Sequence, residues 1–205
     1  MSTPKTLLEL SGADMRPSAL ATSALVIVDA QNEYLDGKLA LPGIGPAVVA
    51  LARLLAKARA AGAPVVHVQH KGRAGGLFDL EARGGAIIDA VKPTAGESIV
   101  SKPLPNAFAQ TELDATLKKL GRTQLVIAGF MTHMCCDTTA RQAQERGLNV
   151  IFLTDGTATR NLTLGDRTVG YLDVQAATLA AQADGFARLA DVATVRAVLA
   201  DGMGY

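Results

Sequence analysis

Five apolar, β-branched runs recur along the chain, and helical segments lie between them. The runs cover residues 24–30, 63–70, 98–102, 124–129 and 149–155. They are apolar at consecutive positions rather than at every second one, which is typical of parallel strands buried on both faces. A weaker run over residues 185–191 is a candidate sixth strand. The alternation predicts an α/β fold, a single doubly wound domain over residues 1–205 whose mostly parallel sheet of about six strands carries helices on both faces.

The segments between the runs have the apolar periodicity and the ends of helices. Residues 45–62 begin with Pro46 near the first helical position and stop at Gly62. Residues 110–121 and 172–185 are predicted to be helices for the same reasons. Residues 71–87 and 156–171 fit neither pattern, and both follow strands. We expect them to overhang the carboxyl edge of the sheet, where open α/β folds bind ligands, and to form pocket walls or lids.

Composition narrows the class of partner. The formal net charge is +1, and the basic residues are mixed with acidic ones along the chain rather than gathered into a stripe. This distribution predicts no nucleic acid partner and no anionic membrane, and it favours a small molecule. The sequence begins without a charged start followed by an apolar region, and no apolar run is long enough to span a bilayer, so we expect a cytoplasmic protein.

The only two cysteines of the chain, Cys135 and Cys136, are adjacent and follow the fourth apolar run. Neighbouring Cα atoms lie too close for an ordinary disulfide, so both thiols are expected to be reduced. If Thr132 is the N-cap of the next helix, Cys136 belongs to the stripe that faces the sheet, together with Ala140, Ala143 and Gly147. Cys135 then points elsewhere, beside the free N–H groups of the first turn, which favour a thiolate.

Asp29 and Lys102 each end an apolar run. A carboxylate at the end of a buried strand is costly unless it has a partner or a task. In a parallel sheet, both side chains would emerge with Cys135 at the carboxyl edge. Two interpretations stay open from the residues alone. The three groups form a catalytic site, or Asp29 and Lys102 form a structural ion pair beside an idle thiol.

Three motifs together resemble the isochorismatase-like superfamily of cysteine hydrolases, over about residues 20–195. The most specific motif, G-x-x-T-x-x-C-x-x-x-T-A, is met by Gly129, Thr132, Cys135, Thr139 and Ala140. An Asp followed by x-Q and then by an aromatic residue is met by Asp29, Gln31 and Tyr34. A Lys followed by a small or polar residue and then by Ala-Phe is met by Lys102, Asn106, Ala107 and Phe108.

The resemblance implies a role for each matching residue. Cys135 would be the nucleophile, Asp29 its acid/base partner and Lys102 the third member of the triad. A cis peptide between Phe130 and Met131 would present the Met131 N–H beside that of Cys135 as an oxyanion hole. The implied activity is cofactor-independent hydrolysis of a C–N bond in a small amide, carbamoyl or ureido compound through a thioester, in a homo-oligomer that is a dimer or a tetramer.

Two other functions stay open. Relatives that cleave an enol ether use the Asp and the Lys but lack the cysteine, so Cys135 favours amide hydrolysis over ether or ester hydrolysis. A thiol protein that binds a ligand without turning it over is the other alternative. Nicotinamidase-like members bind a metal through Asp-x-His after the second strand, where this chain has His70 and Gly72, so no metal site is predicted. The candidate substrate contacts are Gln31, Tyr34, His70, Asn106, Phe108, Phe130 and Thr132.

Overall fold

The main feature of the fold is a six-stranded parallel sheet. The computed structural model describes residues 4–15 and 19–195. The strands in chain order are β1 (Ala24–Val28), β2 (Val65–His70), β3 (Ser98–Lys102), β4 (Gln124–Phe130), β5 (Asn149–Ala158), β6 (Leu162–Leu164), β7 (Arg167–Val169) and β8 (Arg188–Ala190). The main sheet has the order β3-β2-β1-β4-β5-β8, and β6 pairs with β7 as a separate antiparallel ribbon. The predicted doubly wound fold is confirmed, including the weak sixth strand.

The helices are α1 (Leu7–Leu10), α2 (Asn32–Leu35), α3 (Ile44–Ala60), α4 (Leu113–Leu120), α5 (Asp137–Glu145) and α6 (Tyr171–Gly185), with short 3-10 turns at Leu20–Thr22, Arg83–Gly85 and Asp89–Val91. The predicted helix over residues 110–121 starts only at Leu113. The Thr111 hydroxyl donates to the Ala107 carbonyl and accepts from the Leu113 N–H, so Thr111 forms a turn before the helix. No helix in the described residues has the length and apolarity needed to cross a bilayer.

The hydrophobic core has one layer on each face of the sheet. Leu25 and Ile27 of β1 pack with the buried face of α3, and the alternate residues Val26 and Val28 pack with α4 and α5. This alternation follows from the two-residue period of a strand, and it places helices on both faces as expected. The sheet is therefore covered on both sides, and its carboxyl edge carries the loops.

Residues 156–171, which fitted no pattern, are partly strand. β5 continues to Ala158, and the rest contains the β6–β7 ribbon. The register between β4 and β5 shifts between Ile127 and Gly129, so Gly129 pairs with Thr157. Gly129 has a φ of 120°, and a Cβ built on it would lie 2.0 Å from the Val28 carbonyl oxygen. Only glycine suits this position, which is the first residue of the motif that contains Cys135.

We expect Gly129→Ala to lower the free energy of unfolding by about 3 kcal/mol or more, because a disfavoured φ and a main-chain clash act together. Denaturant unfolding of the purified protein measures the loss. Gly147→Ala is the matched control, since Gly147 also has a positive φ, 76°, but no atom lies within 4 Å of its built Cβ. It should lose only about 1 kcal/mol. Equal losses in the two variants would show that contact with Val28 is not the cause.

Candidate active site

The ends of β1, β3 and β4 bring three functional groups together at the carboxyl edge of the sheet. Asp29 follows β1, Lys102 is the last residue of β3, and Cys135 lies in a π-helical turn, Thr132–Cys136, directly after β4. Lys102 Nζ lies 2.7 Å from Asp29 Oδ2 and 3.2 Å from Cys135 Sγ. Asp29 and Lys102 are completely buried, and Cys135 is 4% exposed. We call these three residues the triad.

Lys102 is the centre of the triad. Besides the two triad contacts, Nζ donates to the Leu104 carbonyl at 3.1 Å and lies 3.2 Å from His70 Nδ1. Burial acts to lower the pKa of Lys102, but the charge of Asp29 outweighs it and raises that pKa, so the side chain is an ammonium. Burial raises the pKa of Asp29, and Lys102 offsets part of this effect. Asp29 also has a φ of 48°, which is uncommon outside glycine.

The Cys135 thiol holds its proton in the resting site. Burial, followed by the charge of Asp29, raises the pKa of Cys135 to about 12, and Lys102 opposes only part of the rise. The expectation that turn N–H groups favour a thiolate is therefore wrong for this state, because the thiol is buried beside a carboxylate. Cys136 is fully buried with Ala140 and Ala143, as predicted, whereas Gly147 is exposed.

The turn after β4 differs from the helix start predicted around Thr132. The Met131 carbonyl accepts from the N–H groups of both Met134 and Cys136, and α5 starts only at Asp137. The prediction that Thr132 is the N-cap is wrong, because its buried hydroxyl bonds no N–H and has no hydrogen-bond partner in the described part of the chain. The peptide bond between Phe130 and Met131 is cis, the geometry that the resemblance implied.

Gln31 anchors a loop. Its side-chain amide donates to the carbonyls of His70 and Gly85 and accepts from the His70 N–H, at 3.0, 2.8 and 2.8 Å. Main-chain hydrogen bonds run beside it, from the Ile88 N–H to the Ala30 carbonyl and from Asn32 to residue 86. These hydrogen bonds give Gln31 a positioning role, and the predicted substrate contact there stays a prediction. It fastens the end of the 71–87 loop to β2 and to the residues after β1.

Two other candidate contacts also serve the fold. The Asn106 carboxamide accepts from the Phe108 N–H at 2.9 Å, which closes a local turn. Phe108 packs in the core layer of α4 and α5, and the Arg146 guanidinium lies 4.9 Å from the centroid of its ring. Cys135 belongs to the same layer, so the packing of Phe108 does not decide between core and site, and the predicted substrate contact there stays a prediction.

An aromatic group lies next to the triad. The ring centroids of Tyr34 and Phe78 are 5.0 Å apart, those of Tyr34 and Phe130 are 6.0 Å apart, and those of His70 and Phe78 are 5.2 Å apart. Tyr34 and Phe130 are buried in the core layer that contains α3, so the predicted substrate contacts at these two residues stay predictions, and His70 links the group to Lys102. Burial, followed by the charge of Asp29, raises the pKa of Tyr34, so the phenol is neutral.

Phe78 is the residue of this group that the sequence did not reveal. It comes from the 71–87 loop, is 7% exposed and has a φ of 56°, which is rare for a bulky residue. The Gly72 N–H donates to the Phe78 carbonyl, and a Cβ on Gly72 would lie 1.8 Å from the Leu77 carbonyl oxygen. In the sequence, Gly72 was the residue that could have indicated this tight turn. The 71–87 loop therefore packs an aromatic ring against the site, as its position after β2 suggested.

Comparison with known proteins gives the same family over most of the chain. A family model described as "Isochorismatase domain" matches residues 23–187. A secreted isochorismatase effector of Verticillium dahliae is 42% identical over 149 residues, which cover 71% of this chain and 78% of that protein. The crystal structure of an isochorismatase from Pseudomonas putida KT2440 superposes with a TM-score of 0.91 at 39% identity, and covers 94% of this chain and 100% of its own.

Several similar proteins are named for the hydrolysis of C–N bonds. A ureidoacrylate amidohydrolase of Methylobacterium radiotolerans is 33% identical, with 67% of each chain covered. Nicotinamidase 3 of Arabidopsis thaliana is 30% identical, with 85% of this chain and 87% of the relative covered. The structure of N-carbamoylsarcosine amidase from Thermoplasma acidophilum has a TM-score of 0.70 at 25% identity, and covers 88% of this chain and 99% of its own.

Proposed function

Because this chain belongs to the isochorismatase domain family, we propose that it is a hydrolase that cleaves a C–N bond in a small amide, carbamoyl or ureido compound. The observation that carries the proposal is the contact of Lys102 Nζ with both Asp29 and Cys135 at one sheet edge. Amide hydrolysis by a thiol needs a nucleophile, a base within reach and a fixed positive charge. Cys135, Asp29 and Lys102 supply these in that order.

The first step is a proton transfer inside the triad. Cys135 loses its proton to Asp29 as Sγ attacks the scissile carbonyl carbon. Loss of this proton to water would leave a net negative charge in a buried site, which is why burial raises the pKa of the thiol. Transfer to Asp29 keeps the triad neutral overall, with the Lys102 ammonium next to both groups, and the raised pKa of Asp29 favours its acceptance of the proton.

The remaining steps use the same groups. The oxyanion of the tetrahedral intermediate accepts from the backbone N–H groups of Met131 and Cys135, and such donors are worth about 3 kcal/mol each in comparable sites. Asp29 returns the proton to the departing nitrogen, so ammonia or an amine leaves and a thioester to Cys135 remains. Asp29 then takes a proton from water, which attacks the thioester and releases the acid. Every proton and electron pair comes from the triad, the substrate or water, so this cycle needs no cofactor.

The burial of Cys135 favours a second candidate function. A thiol that is 4% exposed and has a pKa near 12 is a poor nucleophile until a base acts on it. A protein that binds an amide beside an unreactive thiol would show the same resting geometry. This candidate predicts binding without turnover.

We test the two functions with nicotinamide, ureidoacrylate and N-carbamoylsarcosine. We expect the parent protein to release ammonia from at least one of these compounds. We also expect rapid acid quenching to trap an acyl adduct that mass spectrometry places on Cys135. Binding by calorimetry with neither ammonia nor an adduct would favour the non-catalytic candidate. An adduct on Cys136 would overturn the choice of nucleophile.

A further inference from the structure

We propose that His70 is a fixed hydrogen-bond donor to the substrate, with Nδ1 accepting from Lys102 and with Nε2–H donating to a carbonyl or carboxylate oxygen of the bound compound. The inference rests on the proposed function, because the substrate in question is the compound that acylates Cys135. The sequence analysis names His70 only as a candidate substrate contact. The inference adds that His70 donates the hydrogen bond to the substrate and accepts none from it.

The neighbouring ammonium decides which ring nitrogen carries the proton. Lys102 Nζ lies 3.2 Å from His70 Nδ1 and 2.7 Å from Asp29 Oδ2. An ammonium has no lone pair, so Nζ cannot accept a hydrogen bond from Nδ1, although one of its three N–H groups can donate to it. A proton on Nδ1 would point at the N–H groups of Lys102. The neutral ring therefore carries its proton on Nε2.

Neighbouring residues hold both the backbone and the ring of His70 in place. Gln31 holds both the N–H and the carbonyl of His70, and His70 pairs with Lys102 across β2 and β3. The ring meets Phe78 edge to face, at an interplanar angle of 76°. Within residues 4–15 and 19–195, Nε2 of His70 has no hydrogen-bond partner. The atom is also not buried from solvent. This N–H is therefore available to a ligand at the triad.

The electrostatics agree with a donor that does not transfer its proton. Burial, followed by the charge of Lys102, lowers the pKa of His70 to about 4, so the ring is neutral at physiological pH. A neutral Nε2–H donates to an oxygen lone pair and offers nothing to an ammonium or an amide N–H. The substrate should accordingly place a carbonyl or carboxylate oxygen next to His70. It should place no positive charge there, since the Lys102 ammonium lies 3.2 Å from the other ring nitrogen, Nδ1.

Nitrogen NMR tests the tautomer without any substrate. The chain has three histidines, so long-range ¹H–¹⁵N spectra of histidine-labelled protein resolve each ring, and His70→Gln identifies the signals of interest. We expect the Nε2–H tautomer from about pH 8 to about pH 5. We also expect Lys102→Met to give a mixture of tautomers. An Nδ1–H ring, or an imidazolium at neutral pH, overturns the proposal.

Two variants then separate the donor from the Lys102 contact. His70→Gln can place an amide N–H near the position of Nε2, whereas His70→Asn can keep an acceptor near Nδ1 but lacks the donor. With whichever of the three test compounds the parent hydrolyses, we expect kcat/KM to fall about 10- to 100-fold in His70→Asn and only a few-fold in His70→Gln. The reverse order would assign His70 to positioning Lys102. If the parent hydrolyses none of them, the proposed function fails, and the tautomer spectra still decide the state of the ring.

Discussion

Cys135→Ala abolishes hydrolysis, with kcat falling at least about 10⁴-fold, if the thiol is the nucleophile. The substitution removes the one atom that lies within 3.2 Å of Lys102 Nζ and can form a thioester. Neither Asp29 nor Lys102 forms a thioester, and Asp29 Oδ2 stays paired with Lys102 Nζ at 2.7 Å. Steady-state ammonia release by the purified variant measures the effect, and circular dichroism checks that the fold is kept.

Cys136→Ala is the matched control for this prediction. Cys136 is the neighbouring residue and is fully buried, but it packs with Ala140 and Ala143 in the core rather than against Lys102. We expect its kcat to stay within a few-fold of the parent and its stability to fall by about 1 kcal/mol for the lost packing. Equal activity losses in the two variants would contradict the assignment, since they would indicate a general disturbance of the turn.

Lys102→Met destabilises the protein by about 3–5 kcal/mol and lowers Tm by on the order of 10 °C. It leaves the Asp29 carboxylate completely buried without its ion-pair partner. The effect also has a pH signature. Without Lys102 the pKa of Asp29 rises further above its unfolded value, so the folded state binds the proton more tightly. The penalty is then largest at neutral pH and shrinks as the pH falls and Asp29 becomes protonated.

Two further variants show whether the unpaired charge of Asp29 causes the loss of stability in Lys102→Met. Adding Asp29→Asn to Lys102→Met removes the uncompensated carboxylate, and the double variant should regain a substantial part of the lost stability. Lys118→Met is the surface control, because Lys118 pairs with Asp114 at 77% side-chain exposure and should change stability by less than about 0.5 kcal/mol. A pH-independent penalty in Lys102→Met, with no recovery in the double variant, would point to lost packing of the lysine stem instead.

The sheet and the meeting of the triad were predictable because both depend on patterns along the chain. Continuous apolar runs indicate buried parallel strands, and polar residues at their ends must share one edge. Asp29 and Lys102 could be identified in this way, and helical phase alone distinguished Cys136 from Cys135. The pairing of β8 with β5 was harder to predict, since residues 185–191 include no β-branched residue.

The features that the sequence did not predict depend on tertiary contacts. Thr132 and Cys135 lie in a π-helical turn before α5, which has a different hydrogen-bond pattern from a regular α-helix. The N-cap prediction for Thr132 failed for this reason. The high pKa of Cys135 results from burial beside Asp29, which no local pattern encodes. Phe78 lies in a glycine-rich stretch, and its contacts with Tyr34 and His70 come from a turn that carries no hydrophobic period.

The contacts that hold the 71–87 loop separate the part of the loop that must keep its shape from the part whose side chains can change. Its carboxyl end is held by Gln31 and by main-chain hydrogen bonds at Asn32 and Ile88, which are indifferent to most side chains of the loop. Exposed residues between these anchors and β2 can therefore be substituted without displacing the β1 and β3 ends that carry Asp29 and Lys102, whereas Gly72 and Phe78 are fixed by the tight turn and the aromatic contacts. Such a division suits a family whose members are named for compounds as different as nicotinamide and ureidoacrylate.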